Sequence, residues 1–354
     1  MRNELLQEWN DLLSQNENVY IYGAGNTAKA IMRLIGITGN MDKFGGWLVT
    51  NKADNPLELE GIPVKEIMEF KNKSALILVP HLGTFKIEIL GLLSELGFSN
   101  VFEVRKFLEL LKNETPTSID DVSMQRAKKE IAFIQKNKLP EDLLKEQELL
   151  KEVCQIRDAD RPDFGGVQFY QSFERIGIAG QRPSLYRIYK YGLDKIASVE
   201  KNVLDIGCNS GFLDMSISPL VKHITGVEYD KTLFQIAQRV KRFLNRSNCR
   251  FINMDFKEWN AGNENKYDII LSLAIHHWLD LTADEYVEIL NDLLCIDGYL
   301  CLESHDLETP DIMFEQCFAL LGELGYVTVE RGYIQDDGLT RREYLILQKK
   351  FLSD

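Results

Sequence analysis

The chain has 354 residues, 45% of them apolar and 27% charged, which suits a globular protein and excludes a disordered or collagen-like one. Its formal net charge is −13, and residues 201–354 alone hold 15 Lys and Arg against 25 Asp and Glu, so this half repels phosphate backbones and argues against a nucleic-acid partner. No apolar run approaches the roughly 20 residues that cross a bilayer, and the start, MRNELLQEWNDLL, is acidic and amphipathic, unlike a secretion signal. A cytoplasmic protein of two folding units is expected, and its six cysteines, with no C-x-x-C pair, read as buried thiols.

Asn18–Tyr22 reads as an apolar strand, followed by a glycine turn, Gly23-Ala24-Gly25-Asn26-Thr27-Ala28, and a helix over Lys29–Ile35. Phe44–Thr50, Ala75–Pro80 and Val101–Val104 supply further strands, with a helix over Lys86–Leu96. Residues 1–111 thus form a Rossmann-like α/β domain. It resembles the small N-terminal domains of bacterial sugar- and capsule-modifying enzymes, which implies a nucleotide-sugar or glycan-precursor ligand. A working NAD site wants Asp or Glu after the second strand; Thr50, Asn51 and Lys52 stand there instead. His81 and Thr84, after the third strand, are candidate pocket residues.

Residues 112–161 read as a helical connector: a polar, proline-bearing start, then helices over Val122–Lys136 and Glu141–Ile156 rich in Lys and Glu. These helices are expected to separate the domains or to dimerise the chain. Residues 162–354 form the third segment. It begins with GGVQFYQSFERIGIAGQRPSLYRIYKYGL, Gly165–Leu193, whose glycines and proline do not suit a plain amphipathic helix. Its G-x-R-P-S run resembles one in enzymes that carboxymethylate the wobble uridine of tRNA.

Val203–Leu213, VLDIGCNSGFL, reads as a buried strand, a glycine turn and a helix. The spacing D-x-G-x-x-x-G differs from the dinucleotide pattern G-x-G-x-x-G and places Asp205 before Gly207 and Gly211, which suits a ligand with an amino group and no phosphate. A second strand ends in Glu228, positioned for a ribose diol. A third ends in Asp255 beside Phe256, an acid and an aromatic face for adenine. Tyr267–Leu273 is an almost wholly apolar fourth strand leading into His276 and His277. Tyr299–Ser304, a helix over Ile312–Leu324, Tyr326–Tyr333, the turn QDDGL and Arg342–Leu347 complete the chain, and the short turn makes the last two strands antiparallel.

The stretch from Val203 onward resembles the class I S-adenosylmethionine-dependent methyltransferases. The resemblance implies a seven-stranded Rossmann-like sheet with a reversed last strand and S-adenosylmethionine as cofactor. Asp205, Gly207, Gly211, Glu228, Asp255 and Phe256 match its cofactor positions, and the segment before the first strand would fold over the cofactor as a lid, with Arg182 pairing the methionine carboxylate. His276 and His277 stand where the family places acceptor-facing residues, and an imidazole there suits a general base. His305 is a second candidate for that role. No metal is expected, because Glu303, His305 and Asp306 alternate in direction along an extended chain. The expected function is methyl transfer to a small acceptor, a hydroxyl of a sugar, nucleotide sugar or surface-glycan precursor. The alternatives are a tRNA or other nucleic-acid methyltransferase and a non-catalytic scaffold or sensor that binds the cofactor.

Overall fold

A computed structural model describes residues 2–52, 55, 57–59, 61–80, 83–104, 106–108, 110, 122–159, 169–305, 311–336 and 341–351. His81, Asp306, residues 112–121 and 160–161 of the expected connector, residues 162–168 of the expected lid segment, and the Thr84 side chain lie outside them. The chain divides into two compact units, Met1–Ile119 and Asp120–Asp354.

The first unit runs α1 (Arg2–Ser14), β1 (Val19–Tyr22), α2 (Asn26–Ile37), β2 (Phe44–Val49), β3 (Glu58–Leu59), β4 (Ile62–Glu66), β5 (Leu76–Val79), α3 (Gly83–Glu95) and β6 (Val101–Glu103). Its sheet has the order β3-β4-β2-β1-β5-β6, with only β3 antiparallel to its neighbour. The order reverses between β1 and β5, and the Gly23 turn sits at that switch point. The α1 helix anchors itself through Trp9 and Leu13, both fully buried, and the Trp9 indole donates to Thr38 Oγ1 at 3.0 Å.

The second unit opens with α4 (Val122–Lys136), α5 (Pro140–Ala159), β7 (Phe169–Gln171), β8 (Gly180–Arg182), α6 (Ser184–Lys190) and α7 (Leu193–Ile196). An alternating series follows: β9 (Asn202–Ile206), α8 (Phe212–Ile217), β10 (His223–Glu228), α9 (Lys231–Phe243), β11 (Cys249–Asn253), α10 (Phe256–Ala261), β12 (Tyr267–Leu273), α11 (Ala283–Leu293), β13 (Leu294–Glu303) and α12 (Ile312–Glu323). The chain closes with β14 (Tyr326–Ile334) and β15 (Arg342–Lys349). The seven strands lie in the order β11-β10-β9-β12-β13-β15-β14, and β15 is antiparallel to both β13 and β14 while the other pairings are parallel. This is a Rossmann-like α/β sheet with one reversed last strand.

Alternation along the central strands separates the two faces. Leu204, Ile270, Leu300 and Leu345 pack with Tyr286 and Leu290 of α11 and Phe314 and Leu321 of α12. Val203, Ile269, Leu271 and Ile346 pack with Leu185 and Ile188 of α6 and Leu213 of α8. The helices read as a connector are not a spacer. Ala127 of α4 joins the cluster under α6, and Leu149 and Val153 of α5 pack with Ile236 and Val240 of α9, so burial of these few apolar positions recruits both helices into the second unit.

Gly211 explains how β9 turns into α8. It caps the helix at φ +64°, and a Cβ there would stand 2.5 Å from Phe251 Cζ on β11. Gly211→Ala should therefore destabilise the second unit by about 1–3 kcal/mol, from strain plus overpacking. A thermal-unfolding midpoint unchanged from wild type would refute this account of the turn.

Candidate functional site

The carboxyl ends of β9, β10, β11 and β12 converge on one cleft of about 870 Å³, including its open mouth. Asp205, Gly207, Glu228, Asp255 and Phe256 all line it. Gly207 holds φ +69°, and a Cβ there would meet Ile275 Cδ1 at 2.5 Å, so the backbone turns between the cleft and the β12 loop only because the side chain is absent. Gly211 is not among the residues lining the cleft; a Cβ there would meet Phe251 and Ala237.

Glu228 accepts the Asn209 amide at 2.8 Å through Oε2 and the Asp230 amide at 2.9 Å through Oε1, fixing its carboxylate against the loop. Burial pushes it up to about 7, against the lowering effect of those two amides. Burial pushes both Asp205 and its neighbour Asp214 up, so the two carboxyls titrate as a coupled pair. Asp255 caps α10, accepting the Lys257 amide at 2.8 Å, and still borders the cleft; Phe256 beside it stacks on Trp259, ring centroids 5.8 Å apart.

These groups fit an adenosyl ligand: a fixed carboxylate for a diol, an acid beside an aromatic for a purine, and a turn from which glycine removes the side chain. Gln171 of β7 adds to the loop, its Oε1 accepting the Phe212 and Leu213 amides at 3.1 and 3.4 Å. Tyr170 and Arg187, from the segment before β9, line the cleft too, and so do Gln171 and Asn209, which the sequence did not single out because neither has a motif of its own.

Arg182 does not line the cleft. Its Nη1 donates to Glu303 Oε1 at 2.7 Å, and its Nε donates to Asp336 at 2.8 Å, in an environment closed to solvent. Arg187, one turn into α6, does line it. Burial works against ionising Glu303, but Arg182, Arg187 and Arg342 hold it well below the ordinary carboxylate range. Glu303 is thus the centre of an arginine cluster and not part of any ligand set with His305.

On the loop after β12, His276 is fully buried and its Nε2 lies 2.9 Å from Asp311 Oδ2, while Nδ1 has no partner, so the ring proton belongs on Nε2. His277 keeps 40% of its side chain exposed, with Nε2 3.2 Å from Asp311 Oδ1. Asp311 also caps α12, accepting the Phe314 amide, and binds the His305 amide at 2.8 Å. Burial would raise its pKa, but these donors and His276 hold it well below the usual value. Asp311 was missed because it lies 35 residues from His276.

Residues 203–298 match the model of a methyltransferase domain family. The second unit carries a class I methyltransferase domain. S-adenosylmethionine is its cofactor, in keeping with the donor set above. Over 90 residues the chain is 34% identical to Putative methyltransferase 235L of Invertebrate iridescent virus 6, covering 24% of this chain and 30% of that protein. Over 121 residues it is 27% identical to the U6 snRNA methylphosphate capping enzyme Amus of Drosophila melanogaster, covering 30% and 36%. The chain thus spans about a third of the length of the curated relatives it matches. Among solved structures it is similar to the N-methyltransferase NodS of Bradyrhizobium japonicum, 17% identical, TM-score 0.38, covering 47% of this chain and 93% of NodS. Among the described residues, no helix is long and apolar enough to cross a membrane.

The raised pKa of Glu228 carries a sign. The fold favours the protonated acid, so its contribution to stability is full below its ordinary value of 4.5 and is lost as pH rises through about 7. A ribose diol donates to the ionised form, so affinity for S-adenosylmethionine should rise about tenfold between pH 6 and 8. Glu228→Gln should remove most of that rise; calorimetry giving the same pH slope for both proteins would exclude Glu228 as the titrating group.

Proposed function

We propose that this protein transfers the methyl group of S-adenosylmethionine to a hydroxyl of a sugar, nucleotide sugar or surface-glycan precursor. The observation that carries the reading is the His277–Asp311 pair, 3.2 Å apart with a half-exposed imidazole, on the loop whose Ala274, Ile275 and Trp278 line the cleft, although neither His276 nor His277 itself lines it. An alcohol must lose its proton as it attacks carbon. With the Nε2 proton held toward Asp311, His277 Nδ1 is the basic nitrogen that accepts it, and His276 supports Asp311 from the buried side. S-adenosylmethionine supplies an electrophilic methyl on a sulfonium and leaves as S-adenosylhomocysteine. Asp205, Glu228, Asp255 and Phe256 hold it, and the apolar walls exclude water.

The acceptor class draws on the first unit, where Tyr22, Gly23, Gly25, Thr50, Asn51 and Glu88 border a cleft at the β1–β5 switch point. One acid among neutral hydrogen-bonding groups suits sugar hydroxyls. A nucleic-acid acceptor is the second reading, favoured by the name of the Drosophila relative and opposed by the excess of ten acidic charges in residues 201–354.

Production of S-adenosylhomocysteine with nucleotide sugars or glycans supports the first reading; production with RNA alone replaces it. His277→Ala should lower kcat by about 10²–10⁴ with cofactor affinity held. Asp311→Asn should lower kcat in the same direction. Wild-type turnover in H277A would remove His277 as the base.

A further inference from the structure

Three arginines, Arg182, Arg187 and Arg342, are almost wholly enclosed beside the cleft and meet two carboxylates, Glu303 and Asp336. Their bonds are unequally shared. Arg182 grips both acids at 2.7 Å. Arg342 Nη1 donates to Glu303 Oε1 at 3.1 Å and to Tyr170 OH at 2.9 Å. Arg187 is left with the long contacts: Nη2 to Glu303 at 3.3 Å, Nε to Tyr191 OH at 3.4 Å and Nε to Asp336 at 3.7 Å.

Among the described residues Arg187 Nη1 is buried and has no hydrogen-bond partner, and the same holds for Arg342 Nε in the same cluster. A buried guanidinium donor with nothing to bind is costly, and natural proteins leave few of them. Arg187 is also the member of the trio that lines the cleft. Asp205 feels the Arg187 charge, which lowers its pKa against the larger upward push of burial. The Tyr170 phenol, which also lines the cleft, reports the cluster's positive charge: burial would raise it, yet the three guanidiniums hold it below its ordinary value.

We propose that Arg187 Nη1 anchors a carboxylate or phosphate carried by the methyl acceptor, so that the acceptor is an anion bound next to the methyl donor. The position sets Arg187 apart from the donor's adenosine end. The adenosine-type contacts, Glu228 and Asp255, lie at the ends of β10 and β11, whereas the groups that hold Arg187 are Glu303 at the end of β13 and Asp336 just past β14, on the other side of β9 and β12. A guanidinium already oriented through two of its nitrogens presents the third as a fixed donor, and a planar or tetrahedral oxyanion completes it with a charge-assisted bond. A neutral sugar would leave that charge unmatched; a sugar acid or a sugar phosphate matches it.

The inference rests on the methyl-transfer reading, and the test separates the two. Calorimetry on the full chain first measures S-adenosylhomocysteine, then acetate and inorganic phosphate titrated into the S-adenosylhomocysteine-loaded protein. Arg187→Met leaves two cations facing two carboxylates, so the cluster stays balanced, and Arg187→Lys keeps the charge with a single donor point. The expected result is saturable binding of acetate or phosphate by wild type, weakened tenfold or more in R187M and partly retained in R187K, with S-adenosylhomocysteine affinity held in both. Wild type that binds S-adenosylhomocysteine but neither anion overturns the proposal, as does anion binding that survives in R187M. A tenfold loss of S-adenosylhomocysteine affinity in R187M also overturns it and gives Arg187 to the donor's own carboxylate. Wild type that fails to bind S-adenosylhomocysteine fails the methyl-transfer reading itself.

Discussion

One carboxylate at the end of β13 ties together three parts of the chain that are far apart in sequence. Glu303 is fully buried and receives Arg182 from β8, Arg187 from α6 and Arg342 from β15, with Tyr191 donating to it as well. Taking these charges out of water costs several kcal/mol per ion, and the fold recovers it through the mutual pairing of cations and carboxylates. Removing one partner of such a pair typically costs about 3–5 kcal/mol. The segment before β9, the central sheet and the terminal hairpin therefore form one piece, and the cleft inherits its rigidity from that piece.

The strand-end acids were legible because each lies one position past an apolar run, at intervals that a strand and a helix impose. Asp205, Glu228 and Asp255 need only the backbone to bring them together. The reversed last strand was legible for the same local reason, a turn too short for a crossover. Side-chain direction was not legible. Arg182 and Arg187 are five residues apart in a stretch rich in polar groups, and both join the ion cluster, but only Arg187, on α6, also lines the cleft. Gly211 shows the same limit, since a glycine at a turn looks alike whether it makes room for a ligand or for Phe251.

The charged helices α4 and α5 were misread for an energetic reason. Most of their surface is solvated, and a handful of apolar residues, Ala127, Leu149 and Val153 among them, is enough to dock them. The histidine pair was half legible. Adjacent residues on a loop after β12 suggest acid–base chemistry, but their shared partner, Asp311, arrives from the cap of α12. Long-range pairing of that kind leaves no trace in local spacing.

The amide of Gln171 has a meaning for ligand choice. In dinucleotide folds the first helix after the glycine turn receives a pyrophosphate on its free amides. Here the Phe212 and Leu213 amides are already met by a neutral side-chain oxygen delivered from β7. The turn keeps the geometry of a nucleotide fold while a neutral side-chain oxygen occupies the seat that a phosphate would take.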